Sequence, residues 1–359
     1  MIWGTSSQRG PQSGDLGRMS ALDAGFDTRA SGVTLDRFCG SGITAVSLAA
    51  AQVMSGMEDL VIAGGTEMMS MPGRRNADGP PVMDNGNLRL RAHHPQSHQG
   101  ICADAVATLE GISREALDDL ALESQKRADH AIKNGHFKNS LVPVYKEDGS
   151  LALDKEEFPR PQTTREGLAA LKPSFQAMAD ARLDDTGLTY RKLITAVYPD
   201  LDITFSHHAG NSSGIVDGAA GVLIGSKEMG EQLGLKPRAK ILGGASIGSE
   251  PSIMLTGPEF VTQKLMKKLG LTKQDIDLWE LNEAFAAVVL RWVQALDLDM
   301  EKVNVNGGAI AMGHPIGATG AMILGTMVDE LERADKERAL ITLCIGAGMG
   351  TATVIERVN

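Results

Sequence analysis

Apolar and polar positions along the chain fall into a repeating rhythm. Residues 32–38, G-V-T-L-D-R-F, read as a strand running into Cys39. Residues 43–55 are rich in Ala, Val and Leu at helical spacing and stop at Gly56, and 59–65, D-L-V-I-A-G-G, read as a short buried strand. Strand, glycine turn, helix and strand make the unit of a parallel α/β sheet. The rhythm is lost over 70–110, where Pro, Gly, Asn, Arg and His dominate. It returns as a helix over 113–134, with Ser113 as N-cap, Glu115 in the first turn and Gly135 beyond the end. Residues 136–206 are polar and irregular. The pattern makes 70–206 a large excursion from the sheet, part loop and part helix, carrying exposed Arg and Lys; its embedded helices argue for a functional segment.

A strand pattern follows at 222–225, and a second α/β set opens at 239–248. Near the end, 303–320 read as a strand and a glycine turn, 321–333 as a helix, and 339–350 as a strand into another glycine turn. Set beside 33–65, this predicts two copies of one topology facing each other. The organisation is therefore residues 1–69 with 207–228 as one half, 70–206 as an inserted loop domain, and 229–359 as the other half.

Composition narrows the classes of function. With 42% hydrophobic residues in 359, the chain builds an ordinary globular core. A net charge of -10 and 4% aromatics speak against nucleic acid, which needs a basic footprint and stacking surfaces. No unbroken run of 18 apolar residues is present, and the opening M-I-W-G-T-S-S-Q carries neither a charged leader nor an apolar signal core; a cytoplasmic protein without a membrane partner is expected. Three cysteines far apart, with no C-x-x-C pair, make neither a disulfide framework nor a structural zinc site, so each thiol is judged by its surroundings. The 41 glycines cluster at 40–42, 64–65, 307–325 and 346–350, where backbone must come close to something.

Cys39 stands where a strand gives way to a helix N-terminus, a place whose unpaired N–H groups and dipole favour a thiolate. Gly40 and Gly42 clear the approach for an electrophile; the alternative is a cysteine packed as a small hydrophobe. His314, in G-H-P-I-G, sits at another glycine turn before a helix, with Pro315 fixing the first helical residue; it reads as a base for a thiol or as a hydrogen-bonded loop histidine. Cys344 ends the strand I-T-L-C and precedes I-G-A-G-M-G, which gives it the same placement as Cys39 in the other copy. Asn282, in W-E-L-N-E-A-F-A, falls at the expected start of a helix, either as its N-cap or as a group that fixes a water or an oxyanion. Metal binding by His93, His94 and His98, or by His207 and His208, lacks a completing ligand, because Pro95 interrupts helical spacing and no Cys or carboxylate finishes a set. The glycines of G-A-G-M-G at 346–350 have the wrong spacing for a dinucleotide site. Seventeen methionines, including those at 68–71 and Met312, suit either an acyl pocket or plain core filling.

Taken together, C-G-S-G at 39–42, N-E-A-F at 282–285, G-H-P at 313–315 and C-I-G-A-G at 344–348, supported by N-S-S-G-I-V-D-G-A-A from 211 and N-V-N-G-G-A-I-A from 304, resemble the thiolase family over nearly the whole chain. The resemblance implies a thiolase-like α/β fold of two similar βαβ-rich halves packed in αβαβα layers, with a large inserted loop domain that holds CoA. It also implies CoA-dependent cleavage of a 3-oxoacyl-CoA to acetyl-CoA and a shortened acyl-CoA, or the reverse Claisen condensation, by a ping-pong route. By resemblance, Cys39 carries the acyl group as a thioester, His314 activates that thiol and helps bind the thioester oxygen, and Cys344 exchanges a proton with the acetyl-CoA carbon or the incoming CoA thiol. Asn282 matches the asparagine that holds a water in one oxyanion hole, while the backbone amides of Cys39 and Gly346 form the second. His98 resembles a histidine lining the pantetheine path, and Lys172 stands where relatives carry a basic residue near the CoA phosphates. The partners implied are acyl-CoA and CoA, with no other cofactor, and a homodimer or a dimer of dimers.

Two features depart from the family pattern. The opening M-I-W-G-T resembles the second strand of a thiolase, so the usual first strand and helix, central in its sheet, are expected to be lacking, leaving neighbouring strands without a ladder. Gly243 stands where several relatives have a pantetheine-contacting serine, and Ser246 is the expected substitute. A non-catalytic acyl or sterol carrier would not need both cysteines, and a ketoacyl-synthase-like enzyme would place two histidines, or His and Asn, opposite its cysteine.

Overall fold

The computed structural model describes residues 1–71 and 83–358, so the part of the predicted excursion at 72–82 lies outside the described residues. The strands are β1 Ile2–Gly4, β2 Val33–Leu35, β3 Leu60–Met68, β4 Val144–Tyr145, β5 Leu151–Leu153, β6 Asp217–Gly225, β7 Ala239–Gly248, β8 Leu278–Leu281, β9 Arg338–Ile345 and β10 Met349–Arg357. The first sheet has the order β2-β1-β3-β6, and the second β7-β10-β9-β8; β4 and β5 form a separate hairpin. In the first sheet β1 runs parallel to both β2 and β3, with Trp3 opposite Thr34 on one side and Gly64 on the other. The expected break is therefore absent: β1 closes directly on both neighbours, and their backbone groups pair with one another.

The helices are α1 Leu16–Asp23, α2 Ser41–Ser55, α3 Leu88–His93, α4 Gln99–Leu109, α5 Arg114–Lys133, α6 Arg165–Ala169, α7 Gln176–Ala179, α8 Tyr190–Thr195, α9 Lys227–Gln232, α10 Gly257–Leu269, α11 Ala286–Leu296, α12 Ala309–Met312 and α13 Thr319–Arg333. Helix α2 ends in Gly56 at φ 75, the left-handed cap expected of it. Helix α5 starts from Ser113, whose hydroxyl accepts the Ala116 N–H, as its sequence predicts.

Helices α2 and α13 lie between the two sheets. Ile43, Val46 and Ala49 of α2 and Ala321, Leu324, Met327 and Leu331 of α13 share one core with Val61 and Ala63 of the first sheet and Ile341 and Leu343 of the second. The segment Phe38–Ser55 is long and apolar enough by length and composition to cross a membrane, but half of it is buried inside the fold. Apolar character all round is what a helix between two sheets requires. A second core joins the helices of the excursion, through Ile101, Val106, Leu117 and Leu193, to Phe285, Val289 and Trp292 of the other half.

Several elements differ from their sequence pattern. The strand before Cys39 covers only Val33–Leu35, and Cys39 sits in a 3-10 turn, Phe38–Gly40, with Phe38 at φ 49. No strand forms at 303–305; a single parallel bridge joins Val303 to Trp279. Asn304 replaces the ladder there: its Oδ1 accepts the Leu281 N–H at 2.9 Å and its Nδ2 donates to the Leu281 carbonyl at 2.9 Å. Its φ of 47 takes the backbone out of the extended region at the same point.

The two interlayer helices cross where each begins. A Cβ on Gly320 would stand 2.3 Å from the Ile43 nitrogen, and one on Gly42 2.8 Å from the Gly317 carbonyl oxygen. Both obstacles are backbone and cannot rotate away. Gly320→Ala is therefore expected to lower stability by roughly 1–3 kcal/mol, as overpacking does, seen as a lower urea midpoint with an unchanged slope.

Candidate active site

Cys39 is 8% exposed and immediately precedes α2, whose N-cap Gly40 offers no capping side chain. The helix dipole and first-turn amides are thus left to act on the turn. The turn is held from within: the Ser41 hydroxyl accepts the Arg37 N–H at 2.8 Å and donates to the Phe38 carbonyl at 2.7 Å. Arg37 adds a tie to the far half, donating to Thr44 Oγ1 at 3.1 Å and Ser246 Oγ at 2.9 Å.

His314 occupies the corresponding turn ahead of α13. Gly313 takes φ 89, and the His314 N–H donates to the Gly214 carbonyl at 2.9 Å. The Thr319 hydroxyl spends its proton on the Pro315 carbonyl at 3.0 Å, so its oxygen accepts from His314 Nδ1 at 2.6 Å. That assigns the ring proton to Nδ1 and leaves the Nε2 lone pair facing the site. Asn282 Nδ2 lies 3.3 Å from Nε2, and Asn282 Oδ1 is buried with no hydrogen-bond partner among the described residues, a position suited to a bound water.

Asn282 is not a helix N-cap. It follows β8, donates its N–H to the Thr342 carbonyl at 3.1 Å, and the cap of α11 is Phe285. Nor does Cys344 mirror Cys39. It lies within β9, and the turn at 346–348 leads back into antiparallel β10 rather than into a helix. The true counterpart of the Cys39 turn is the His314 turn, since each opens one of the paired helices α2 and α13. Cys344 is 1% exposed, and burial, with the charge of Cys39 adding, pushes its thiol well up from the ordinary value. Around the turn Ala347 takes φ 66, and the Gly346 N–H donates to no acceptor among the described residues.

The two thiols are brought together by their neighbours. A Cβ on Gly40 would meet Ile345 Cδ1 at 2.4 Å, and one on Gly346 would meet the Phe38 ring at 3.4 Å. Cys39 and Cys344 are thus flanked by residues in mutual contact.

The other predicted residues lie further out. His98 caps α4, accepting the Gly100 N–H at 3.2 Å, and its ring packs at 5.7 Å from Phe175 and 5.6 Å from Tyr190. Phe175 in turn lies 6.0 Å from Phe285, which links His98 to the N-E-A-F segment. Lys172 is exposed on the excursion. Ser246, bonded by Arg37, is tied to the turn of Cys39.

Two buried carboxylates beside these turns, Glu283 and Glu67, are not singled out by the sequence reading. Glu283 accepts from Ser124 Oγ at 2.6 Å, Asn304 Nδ2 at 3.1 Å and the Ile310 N–H at 3.1 Å. Glu67, fully buried, accepts the Gly317 N–H at 3.1 Å. Their one sequence signal is an acid set in an apolar strand or turn, which a buried charge must answer with donors.

His207 and His208 serve packing. His207 Nδ1 donates to Asp104 at 2.8 Å, and His208 Nε2 to Asp118 at 2.9 Å. Among the described residues no group of three metal-ligating side chains forms.

The chain is similar to known proteins over nearly its whole length. Residues 1–180 match the family model for the thiolase N-terminal domain, and 235–357 that for the thiolase C-terminal domain. The chain is 42% identical to an acetyl-CoA acetyltransferase of Chromobacterium violaceum, over 95% of this chain and 83% of that one. It is 38% identical to a 3-ketoacyl-CoA thiolase of Cronobacter sakazakii, over 100% and 87%. The crystal structure of the Bacillus anthracis acetyl-CoA acetyltransferase superposes with a TM-score of 0.81 at 34% identity, covering 99% of this chain and 86% of that one.

Burial, followed by the charge of Arg114, holds the pKa of His208 below its ordinary 6.5. The folded protein thus resists a proton that the unfolded chain accepts. The stability this contributes is complete above the ordinary value and is lost as pH falls through the folded one. The urea midpoint is expected to drop between pH 8 and pH 5.5, and to drop less in His208→Gln.

Proposed function

Because the chain belongs to the thiolase family and is an acyltransferase acting on CoA thioesters, we propose that Cys39 is its nucleophile and that His314, Cys344 and Asn282 complete the catalytic set. In the cleavage direction the Cys39 sulfur, its proton taken by His314 Nε2, attacks the 3-oxo carbon. The bond between C2 and C3 then breaks, the acyl group stays on Cys39, and the electron pair passes to acetyl-CoA as an enolate. Cys344, kept in its thiol form by burial, gives that carbon its proton. In the second half the Cys344 thiolate takes the proton of an incoming CoA thiol, whose sulfur attacks the thioester; the acyl–Cys39 bond breaks, the shortened acyl-CoA departs, and the Cys39 thiolate recovers its proton from His314 Nε2. A covalent intermediate divides one difficult step into two.

Oriented donors stabilise the charge. Asn282, through a water at its open Oδ1, and His314 serve the thioester oxygen; the backbone amides of Cys39 and Gly346 serve the oxyanion on the acyl carbon. The observation that carries this reading is the seating of Gly40 against Ile345, 2.4 Å from a would-be Cβ, which sets the two cysteines beside each other from different halves.

The αβαβα layering belongs to the same proposal, with halves at 1–69 plus 207–228 and at 229–359, and with 70–206 as the CoA-binding loop domain. Lys172 meets the CoA phosphates, while His98 and Ser246 line the pantetheine path. The protein works as a homodimer or a dimer of dimers in the cytoplasm.

Substitution separates this reading from a carrier. Cys39→Ala should abolish cleavage of acetoacetyl-CoA while leaving CoA binding in place; cleavage at the native rate would end the proposal. Cys344→Ser should still acylate Cys39 from acetyl-CoA within about tenfold of normal, while carbon–carbon cleavage falls by about 10²–10⁴, the usual worth of a general acid or base. A CoA thiolate leaves with little help from a proton whereas a carbanion needs one, so equal loss of both half-reactions would contradict the role given to Cys344 as the acid for carbon.

A further inference from the structure

Glu67 is the penultimate residue of β3 and is fully buried. Its Oε2 accepts the Ser6 N–H at 2.8 Å and the Gly317 N–H at 3.1 Å, and its Oε1 accepts from Gln12 Nε2 at 3.1 Å. Three segments thus meet on one carboxylate: the end of β1, the turn before α1, and the turn carrying His314. Gln12 is itself fixed, donating to Thr5 Oγ1 and the Ser7 carbonyl at 3.0 Å each and accepting the Met68 N–H.

The peptide at Gly317 has no slack. A Cβ there would stand 2.5 Å from the Thr66 carbonyl oxygen and 2.7 Å from Thr5 Cα, and one on Gly65 would stand 2.0 Å from the Gly317 oxygen. From Gly317 the turn closes back on itself. The Ala318 and Thr319 N–H groups donate to the Pro315 carbonyl at 2.8 and 3.1 Å, and Thr319 Oγ1 holds His314 Nδ1. A shift at Gly317 therefore reaches the imidazole through two residues and a hydroxyl.

We propose that Glu67, in the first half of the chain, is a positioning residue for the reaction, holding the turn of the second half so that His314 Nε2 faces Cys39. The inference rests on the reading of His314 as the base for Cys39. A carboxylate suits the place because both its oxygens accept and neither donates, whereas a glutamine, whichever way its amide is turned, sets an NH2 against an N–H donor.

The test measures kcat and KM for acetoacetyl-CoA, and the rate at which iodoacetamide alkylates Cys39, read by mass spectrometry, in Glu67→Gln, Glu67→Asp and His314→Ala. Glu67→Gln is expected to lower kcat and slow alkylation by about tenfold or more, the scale of a misplaced catalytic group, with KM little changed and a cooperative urea transition retained. Glu67→Asp keeps the charge on a shorter stem and is expected to fall in between; it decides the matter if the Gln variant does not fold. Native kcat and native alkylation in a folded Glu67 variant would overturn the positioning role, as would a loss of stability with both rates intact. If His314→Ala alkylates at the native rate, the reading of His314 as base fails; if it is slow while the Glu67 variants are normal, only the role of Glu67 falls.

Discussion

The site depends on the contact between the first turns of two helices that cross between two sheets. Gly42 lies against the backbone of Gly317 and Ala318, and Gly320 lies against Ile43, with no room for a side chain at either place. Because each helix begins at that contact, the turn ahead of each one is delivered to the same point. One turn carries Cys39 and the other His314. The distance between the layers is set by backbone touching backbone, which close-packed interiors do not readily relax.

Proximity alone does not aim a side chain. The turns are fixed by polar groups buried beside them, and each is answered by donors, as a buried charge requires. Glu283 holds Ile310, four residues before His314, and Glu67 holds Gly317, three residues after it. Thr319 then settles which ring nitrogen keeps the proton. Among the described residues, Asn282 Oδ1 beside His314 is a buried polar atom left without a partner.

Much of this was legible in the sequence because certain local rules are strict. Cys39 before a glycine and His314 after one, each ahead of a helix, could be read from residue type and spacing as either a reactive or a packed side chain, and the structure places both in the turns that open α2 and α13. The helix over 113–134 was marked by its cap. What failed were inferences from likeness between segments. Residues 303–305 look like a strand, yet the Asn304 side chain supplies the bonds a strand would have made. Cys344 precedes glycines as His314 and Cys39 do, yet its strand folds back as a hairpin. Asn282 looks like a cap, yet the helix begins four residues later, at Ala286. Side chains that replace backbone hydrogen bonds leave no periodic trace.

The sequence by itself determined the chemistry available, the alternation of strands and helices, and where the backbone had to come close, because those depend on residue type and short-range spacing. It could not say which buried acid would meet which backbone amide, or that β1 would pair with both β2 and β3. Hydrogen bonds between residues 250 apart, such as that of Glu67 with Gly317, depend on which surfaces end up facing each other. Only the packing of the two sheets around α2 and α13 decides that.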